Sequence, residues 1–335
     1  MLNDPIKVLF CPESNLSISF IIFVWYNRLL GYHENAMRHL YIIGNGFDIY
    51  TGLHTRYADF RWWLENNYPF IYENMKEVYD IDAEWWNDFE VQLGLLDINK
   101  YVKKFTHPDR SDDEIIVEIE RRKKFENEQG DGIPSHESHC ARRLEGVLDV
   151  LQYCFEKWVK DCHRTIVNPQ YLNIDKDNSF FINFNYTDVL EILYEIPEER
   201  VLHIHGRSST HERLIFGHDK FLLTSSLDYD EEKVCFELNR YNKNPYEYIY
   251  KHPELKEILK DVEYVHILGF SFSPIDKDYI DWVFRNVTRC SQWEVSWFSE
   301  EDKNRIDKFV LEHWGLKERL NLVRLEDMPK NYRNH

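Results

Sequence analysis

The chain has 335 residues, of which 43% are hydrophobic and 30% are charged. This length and composition are typical of a globular protein with one large domain, or with a core domain that carries an insertion. The net charge of −18 makes nucleic acid a poor candidate as a partner, because binding to a phosphate backbone requires clustered lysine and arginine.

The first 36 residues precede the first predicted strand. Residues 17–26, SISFIIFVWY, form an apolar run that is shorter than the roughly 20 residues a helix needs to cross a bilayer. We therefore predict no membrane partner. Because the first strand follows directly on Met37, one interpretation is that Met37 is the native start and that residues 1–36 are an N-terminal extension. The alternative, that these residues belong to the native protein, stays open.

The chain has six cysteines, none in a C-x-x-C pair, and no cleavable signal peptide is evident before them. We expect reduced thiols and a cytoplasmic location. His136, His139 and Cys140, with Cys162 and His163 downstream, match no standard zinc-ligand spacing. The sequence thus predicts neither a metal site nor a tightly bound cofactor.

Three regions follow in chain order. Residues 40–43 are apolar and predict a buried strand that ends at Gly44-Asn45-Gly46. In residues 82–167, apolar residues recur every three or four positions, which predicts a helical insertion. After residue 178, short β-rich runs alternate with helical segments. The predicted strands there are SFFINF, VLHIHG, RLIFGH, EYVHILGFS, WEVSWFS and LNLVRLED.

Strands and helices alternate along residues 37–81 and 168–335, which we expect to form one nucleotide-binding domain. Runs such as residues 264–268 are apolar on both faces apart from His266, as strands covered on both faces are. The pattern predicts an α/β fold with a doubly wound, mostly parallel, Rossmann-like sheet, interrupted by the helical insertion at residues 82–167. In such a sheet, ligands bind beyond the carboxyl ends of the strands.

Four predicted strands end in glycines or polar residues: GNGFD, NFNYTD, LHIHG and ILGFSFSPID. A Gly-x-Gly turn between a strand and a helix lets a pyrophosphate approach the backbone. In LHIHG, alternation along a strand would put His203 and His205 on one face. Each stretch alone can also be explained by turn formation or helix capping. We nevertheless expect the four ends to converge at one edge of the sheet.

Six stretches together resemble the AbiH family of bacterial phage abortive infection proteins: IIGNGFDIYTGLHTRYADF, WWNDFE, FINFNYTD, LHIHG, LIFGH and ILGFSFSPIDKDYI. They cover most of residues 38–286. The resemblance implies a role in antiviral defence and a phage-derived trigger.

The order of the four strand ends is also similar to that of the sirtuin-like NAD-binding domains used in bacterial immunity. This resemblance implies a sirtuin-like fold with NAD as substrate or ligand. The Gly-x-Gly turn would face the pyrophosphate, Asn185 and His205 would stand at the nicotinamide ribose, and Gly269 with Ser271 would contact the adenosine side. The chain departs from the pattern in the polar residues of its first turn and in NYTD, which is one residue longer than the usual NYD.

The predicted site combines these resemblances with the strand-end pattern. Its catalytic residues are Asn185 and His205. The predicted nucleotide-binding residues are Gly44, Asn45, Gly46, Asp48, Thr55, Tyr57, Tyr186, Gly206, Gly269, Ser271, Ser273 and Asp276. For two of them an alternative stays open, in which Thr55 caps a helix that begins at Arg56 and Tyr57 packs beneath it.

The leading hypothesis is hydrolysis of the bond between nicotinamide and ribose, which passes through an oxocarbenium-like state. Asn185 would hold the ribose and the attacking water. His205, a residue type with an ordinary pKa of about 6.5, would transfer the proton. His203 is predicted to be structural, and Asp48 either to stabilise the turn or to bind a ribose hydroxyl. The alternatives are a nucleotide sensor that signals through the helical insertion to a partner or a homo-oligomer, and a nuclease or RNA-directed toxin, which the charge disfavours.

Overall fold

The computed structural model describes residues 37–79, 81–82, 85–106, 138–162, 166, 169–210, 213–223 and 227–330. Its strands are β1 (His39–Ile43), β2 (Ser179–Asn183), β3 (Val201–His203), β4 (Tyr264–Leu268), β5 (Gln292–Ser296) and β6 (Leu320–Val323). They form a parallel sheet in the order β3-β2-β1-β4-β5-β6. The strand order reverses between β1 and β4. The predicted α/β, Rossmann-like fold is confirmed.

Helices cover both faces of the sheet. The described α-helices are α1 (Asn45–Thr51), α2 (Tyr57–Asn67), α3 (Pro69–Tyr79), α4 (Phe89–Leu93), α5 (Ile98–Phe105), α6 (His139–Cys162), α7 (Val189–Ile192), α8 (Tyr229–Asn239), α9 (Pro245–Lys251), α10 (Glu254–Leu259), α11 (Lys277–Asn286) and α12 (Glu300–Glu312). Short 3₁₀ helices cover Trp85–Asp88, Glu198–Arg200, Lys317–Arg319 and Leu325–Asp327.

The central strand β1 contributes to two cores. Leu40 and Ile42 are buried in a core with residues of α9, α10, α11 and α12, and Tyr41 and Ile43 are buried in a core with residues of α1 and α7. Continuous apolar strands of this kind occur where helices pack on both faces of a sheet. His266, the polar exception in β4, is satisfied by hydrogen bonds to side chains of the neighbouring strands.

A third core lies in a helical layer that contains residues of α2, α3, α4, α5, α6 and α8. Aromatic rings dominate it: the centroid of the Phe60 ring is 6.0 Å from that of Trp86, 5.8 Å from that of Phe89 and 5.3 Å from that of Phe155. Helices α2 and α3 precede the predicted insertion at residues 82–167, and α8 follows it, yet all three pack in this core. The predicted division into an α/β domain and an insertion therefore stays a prediction.

Two details of the predicted strands are wrong. Residues 213–218, RLIFGH, are not a strand, because His218 makes an isolated bridge and not a ladder. This segment leaves the sheet after β3 and buries Phe216 in the helical layer instead, which explains its apolar pattern. In addition, β3 ends at His203, so His203 and His205 do not alternate along one strand face.

Some sequence predictions concern residues outside the described ranges. These are the N-terminal extension at residues 1–36, with its apolar run, and the charged part of the insertion at residues 107–137. Among the helices that are described, none has both the length and the apolarity that crossing a bilayer requires.

Candidate functional site

A cavity of about 550 Å³ lies at the carboxyl ends of the strands, beside the point where the strand order reverses. Open α/β sheets bind ligands at this position. All the predicted site residues except Gly44 and Gly206 line the cavity, and Trp86, Phe155 and Trp158 of the helical layer line it as well. The four strand ends therefore surround one space; that they bind a nucleotide stays a prediction.

The Gly44-Asn45-Gly46 turn packs against the turn that follows β4. Gly44 N–H donates to the carbonyl of Leu268 (3.0 Å), and Gly46 N–H donates to the carbonyl of Gly269 (2.8 Å). A Cβ atom on Gly46 would lie 2.8 Å from the Cα of Gly269. The glycines thus permit contact between two backbone turns. The N–H groups of both glycines are already bonded within the protein, and the phosphate-binding role expected for this turn stays a prediction.

Gly269 makes the same contact from the other side. Its φ is +65°, and a Cβ atom there would lie 2.0 Å from the backbone nitrogen of Phe47, a distance at which no side chain can be accommodated. Its N–H donates to the hydroxyl of Ser296 at 2.7 Å. Packing therefore explains this glycine without a ligand.

Asn45 and Thr55 connect the glycine turn to the loop before α2. Asn45 Nδ2 donates to the Thr55 carbonyl at 2.8 Å. Thr55 does not cap α2, which begins at Tyr57 with Arg56 in the N-cap position. The buried hydroxyl of Thr55 and the buried Nε1 of Trp86 have no hydrogen-bond partner among the described residues. Both residues line the cavity.

Asp48 is buried in α1 and contacts Asn185. Its Oδ1 accepts a hydrogen bond from Asn185 Nδ2 (2.7 Å), and its Oδ2 accepts one from the Thr187 hydroxyl. Burial raises the pKa of Asp48 to about 7, an effect that these hydrogen bonds oppose. Asn185 Nδ2 also donates to the Gly44 carbonyl at 3.1 Å. Both amide hydrogens of Asn185 are thus used, and its Oδ1 is left to accept a hydrogen bond from a ligand.

His205 is 3% exposed and contacts two charged side chains. Its Nε2 lies 3.1 Å from Asp276 Oδ1 and 3.4 Å from Lys243 Nζ. Burial acts to raise the pKa of Asp276, but His205 and Lys243 outweigh it and lower that pKa, so the group is a carboxylate. We assign the His205 proton to Nε2, where it is donated to Asp276. Its Nδ1 then accepts, and no described residue bonds to it.

The polar contacts continue from His205 into the helical layer. Lys243 Nζ lies 2.7 Å from Glu90 Oε1, and both side chains are largely buried. The same oxygen accepts a hydrogen bond from the Tyr186 hydroxyl at 3.1 Å. Burial, with a contribution from the Glu90 carboxylate, raises the pKa of both Tyr186 and Tyr57 well above the ordinary value, so both are neutral phenols. Tyr57 also packs on Phe89, with ring centroids 5.1 Å apart.

The turn that carries His205 is fixed by Asp188. This buried carboxylate accepts hydrogen bonds from Arg207 and from the two serines that follow it. Burial acts to raise the pKa of Asp188, but these donors outweigh it and lower that pKa. Gly206 has a φ of +84°, a left-handed conformation that glycine adopts readily. Gly206 therefore shapes the turn and does not line the cavity.

Arginines line the more exposed part of the cavity. Arg56, Arg305 and Arg324 are found there together with Ser271 and Ser273. Arg305 donates to the carbonyl of Ser271 at 3.3 Å. Arg305 also pairs with Glu301, and Arg324 pairs with Glu326. Carboxyl groups therefore accompany the arginines in this part of the cavity.

Sequence analysis missed Glu90 and Lys243. Glu90 belongs to WWNDFE, a stretch that contributes to the family resemblance but was given no role. Lys243 lies in RYNKNP, a polar segment in which nothing distinguishes a buried lysine from a solvated one. The two residues are separated by 153 positions, so no local pattern could pair them.

The cysteines that were considered as metal ligands lie apart. Cys140 and Cys162 are near opposite ends of α6, roughly 33 Å from each other at the usual helical rise. Burial raises the pKa of Cys140 to about 11 and that of Cys162 to about 12, so both are thiols. His136 and His163 lie outside the described residues, and the described ones contain no group of three or more histidine, cysteine or acidic side chains arranged to hold a metal.

Comparison with known protein families shows which family the chain belongs to. A family model described as bacteriophage abortive infection AbiH matches residues 40–297. The chain belongs to the AbiH family. The family assigns it a role in bacteriophage abortive infection, which is a form of antiviral defence. The match runs from β1 to the end of β5, so Arg305 and Arg324 lie beyond it. No curated protein matches the chain.

Proposed function

We propose that this AbiH protein binds NAD or a related nucleotide in the cavity and hydrolyses the bond between nicotinamide and ribose. One observation carries the proposal. Asn185 and His205 both line the cavity, and a carboxyl group bonds to each, the buried Asp48 to Asn185 and the largely buried Asp276 to His205. Each is left with an acceptor atom, Asn185 Oδ1 and His205 Nδ1, that no described residue uses.

Two acceptors match what this hydrolysis requires. The oxygen of a water molecule bonds to ribose C1′, and the bond from C1′ to the nicotinamide nitrogen breaks. The electron pair of the broken bond goes to that nitrogen and neutralises its positive charge, so the leaving group needs no acid. The water loses one proton, so the reaction needs one base and a group that orients the water.

In this reaction His205 Nδ1 takes the proton, and Asn185 Oδ1 accepts a hydrogen bond from the water or from a ribose hydroxyl. Asp276 stabilises the imidazolium that forms, as a carboxylate does when it orients a catalytic histidine. Positive charge develops on the ribose in the oxocarbenium-like state. The carboxylate of Asp276 favours that charge, because attraction between opposite charges is strong where water is excluded.

The chemistry of the cavity wall also supports a nucleotide as the ligand. Aromatic residues such as Trp86 and Tyr57 line the cavity, as is common in sites that bind organic ligands. The Thr55 hydroxyl and Trp86 Nε1 are buried polar groups without partners, and buried polar groups of this kind are normally satisfied. Arg56, Arg305 and Arg324 line the cavity and would provide positive charge for phosphates, which would compete with Glu301 for Arg305 and with Glu326 for Arg324.

A second candidate function is nucleotide sensing without hydrolysis. The observation that favours sensing is that two parts of the protein form the cavity wall. Residues from the strand ends and from the helical layer both line the cavity. A bound nucleotide would therefore contact both, and its presence could be passed through the helical layer to a second copy of the chain or to a partner. A phage-derived trigger would act by changing how tightly the protein binds the nucleotide.

Purified protein incubated with NAD decides between the two functions. We expect chromatography to detect nicotinamide with the wild type, and 10²- to 10⁴-fold less with Asn185→Ala or His205→Ala. His252→Ala is a matched control, because His252 pairs with Glu254 away from the cavity; it should retain the wild-type rate. Titration calorimetry with NAD, ADP-ribose and ATP measures binding separately. Binding without nicotinamide release would favour the sensor, and absence of both would contradict the proposal.

A further inference from the structure

Lys243 and Glu90 form a buried ion pair next to His205. Their side chains are 2% and 11% exposed, and Lys243 Nζ lies 2.7 Å from Glu90 Oε1. Glu90 belongs to α4 of the helical layer, whereas Lys243 lies between α8 and α9. The backbone of Lys243 is fixed by a hydrogen bond from its N–H to the His218 carbonyl at 2.7 Å. A buried pair of this kind costs desolvation free energy, so its place beside the cavity calls for a functional reason.

The two charged groups that contact His205 act on it in opposite directions. Asp276 Oδ1 is 3.1 Å from Nε2, and a carboxylate there favours the protonated ring. Lys243 Nζ is 3.4 Å from the same nitrogen, and an ammonium group there disfavours it. Without Lys243, Asp276 would favour the protonated His205 ring, in which both nitrogens carry a hydrogen and neither can accept a proton. The lysine offsets that effect.

The other groups around His205 are uncharged. The ring centroids of Phe184, Tyr186 and Tyr279 lie 5.6, 5.9 and 6.4 Å from that of His205. Burial raises the pKa of both tyrosines, so neither carries charge at neutral pH. Among the described residues, the balance at His205 is therefore set by Asp276 and by Lys243, whose ammonium group contacts the Glu90 carboxylate.

We propose that Lys243 and Glu90 are positioning residues that act through His205. Lys243 opposes the effect of Asp276 on the ring, and Glu90 keeps the ammonium group in place and limits its effect. This inference rests on the proposed role of His205 as the base.

The test is a titration of the His205 ring by nuclear magnetic resonance on the full chain with ¹⁵N-labelled histidine. The His205 signals are those that His205→Gln lacks. Lys243→Met should move the titration midpoint to higher pH by about one unit, and Glu90→Gln should move it to lower pH by a smaller amount, because Glu90 is farther from the ring. Opposite shifts are the decisive result, because loss of a merely structural contact would not move the midpoint in opposite directions. Equal shifts, or none, would overturn the proposal.

A double variant covers the case in which a single one does not fold. Lys243→Met with Glu90→Gln leaves no unpaired charge. Because Lys243 is nearer to His205 than Glu90 is, the midpoint of the double variant should lie between those of the wild type and Lys243→Met; a midpoint equal to that of the wild type would contradict the inference. The titration does not depend on catalysis. If the wild type released no nicotinamide, the proposed hydrolysis would fail while the effect of Lys243 on His205 could still be measured.

Discussion

The glycine turn after β1 and the His205 turn after β3 border the same cavity but differ in what they leave for a ligand. At the glycine turn, the N–H groups of Gly44 and Gly46 donate to carbonyls at the end of β4. At the His205 turn, Asp188 fixes the backbone and Asp276 fixes the ring, while Nδ1 has no partner in the described part of the chain. The glycines of the first turn make a packing contact, whereas the second turn leaves a ring nitrogen without a partner among the described residues.

The difference shows that residue types at a strand end do not by themselves reveal a role. A Gly-x-Gly turn permits close approach of either a phosphate or another backbone segment. The two cases are separated by asking where each N–H group donates. The following predictions test this comparison, from the largest expected effect to the smallest.

Gly269→Ala should have the largest effect, because the added Cβ would lie 2.0 Å from the Phe47 nitrogen. We expect the free energy of unfolding to fall by more than about 4 kcal/mol, measured by thermal unfolding. Gly315→Ala is the matched control. Gly315 also has a positive φ, +78°, but no atom lies within 4 Å of an added Cβ, so the loss there should be about 1–2 kcal/mol. Equal losses at the two positions would show that the contact between turns is unimportant.

His205→Ala and His203→Ala should fail in different ways. His205→Ala should remove protection against phage in plaque assays while the protein still unfolds cooperatively on heating. His203 instead pairs with the buried Glu191, with Nε2 2.7 Å from Oε1. Its replacement should lower the free energy of unfolding by about 1–3 kcal/mol before it affects protection. A stable His203→Ala protein without protection would contradict the structural role.

Asp48→Asn should alter the pH dependence of stability. The folded pKa of Asp48 is about 7, above the ordinary value of 3.8. Between these values the unfolded chain releases the proton and the folded chain retains it, so this group favours folding less as the pH rises towards 7. Relative to Asp48→Asn, the wild type should lose on the order of 1 kcal/mol per pH unit between pH 5 and 7, measured by denaturant unfolding. Parallel stability curves would show that Asp48 is ionised throughout.

Thr55→Val should have the smallest effect on the free protein. The buried hydroxyl has no partner among the described residues, so replacing it with a methyl group should change the free energy of unfolding by less than about 0.5 kcal/mol. If the hydroxyl bonds to a nucleotide, calorimetry should detect about 3- to 10-fold weaker binding. A large loss of stability would mean that the hydroxyl has a partner within the protein.

Sequence patterns predicted the parts of the fold that depend on local burial. Continuous apolar runs such as residues 40–43 and 264–268 identified the central strands, because such strands must be covered on both faces. RLIFGH was misassigned for the same reason: the burial of Phe216 in the helical layer leaves the same apolar signal as burial in a sheet. A run of apolar residues indicates that a segment is buried, but it does not indicate whether the segment packs in a sheet or against helices.

The site was predictable only where its residues follow strands. Asn185 and His205 were found because strand ends of a parallel sheet lie at one edge. Glu90 and Lys243 come from a helix and a polar loop, and their proximity depends on how the helical layer packs on the sheet. No rule that works within a few residues can detect such a pair.

The position of β1 at the centre of the sheet has a consequence for biosynthesis. In register, His39 of β1 lies beside Ser179 of β2 and Tyr264 of β4, strands that the ribosome supplies much later. The first strand must therefore wait without its neighbours while most of the chain is made, and closing such long loops slows folding. The cavity cannot form before β4 and Asp276 have emerged. A chain that is still being synthesised, or one truncated before that point, would therefore lack the complete cavity.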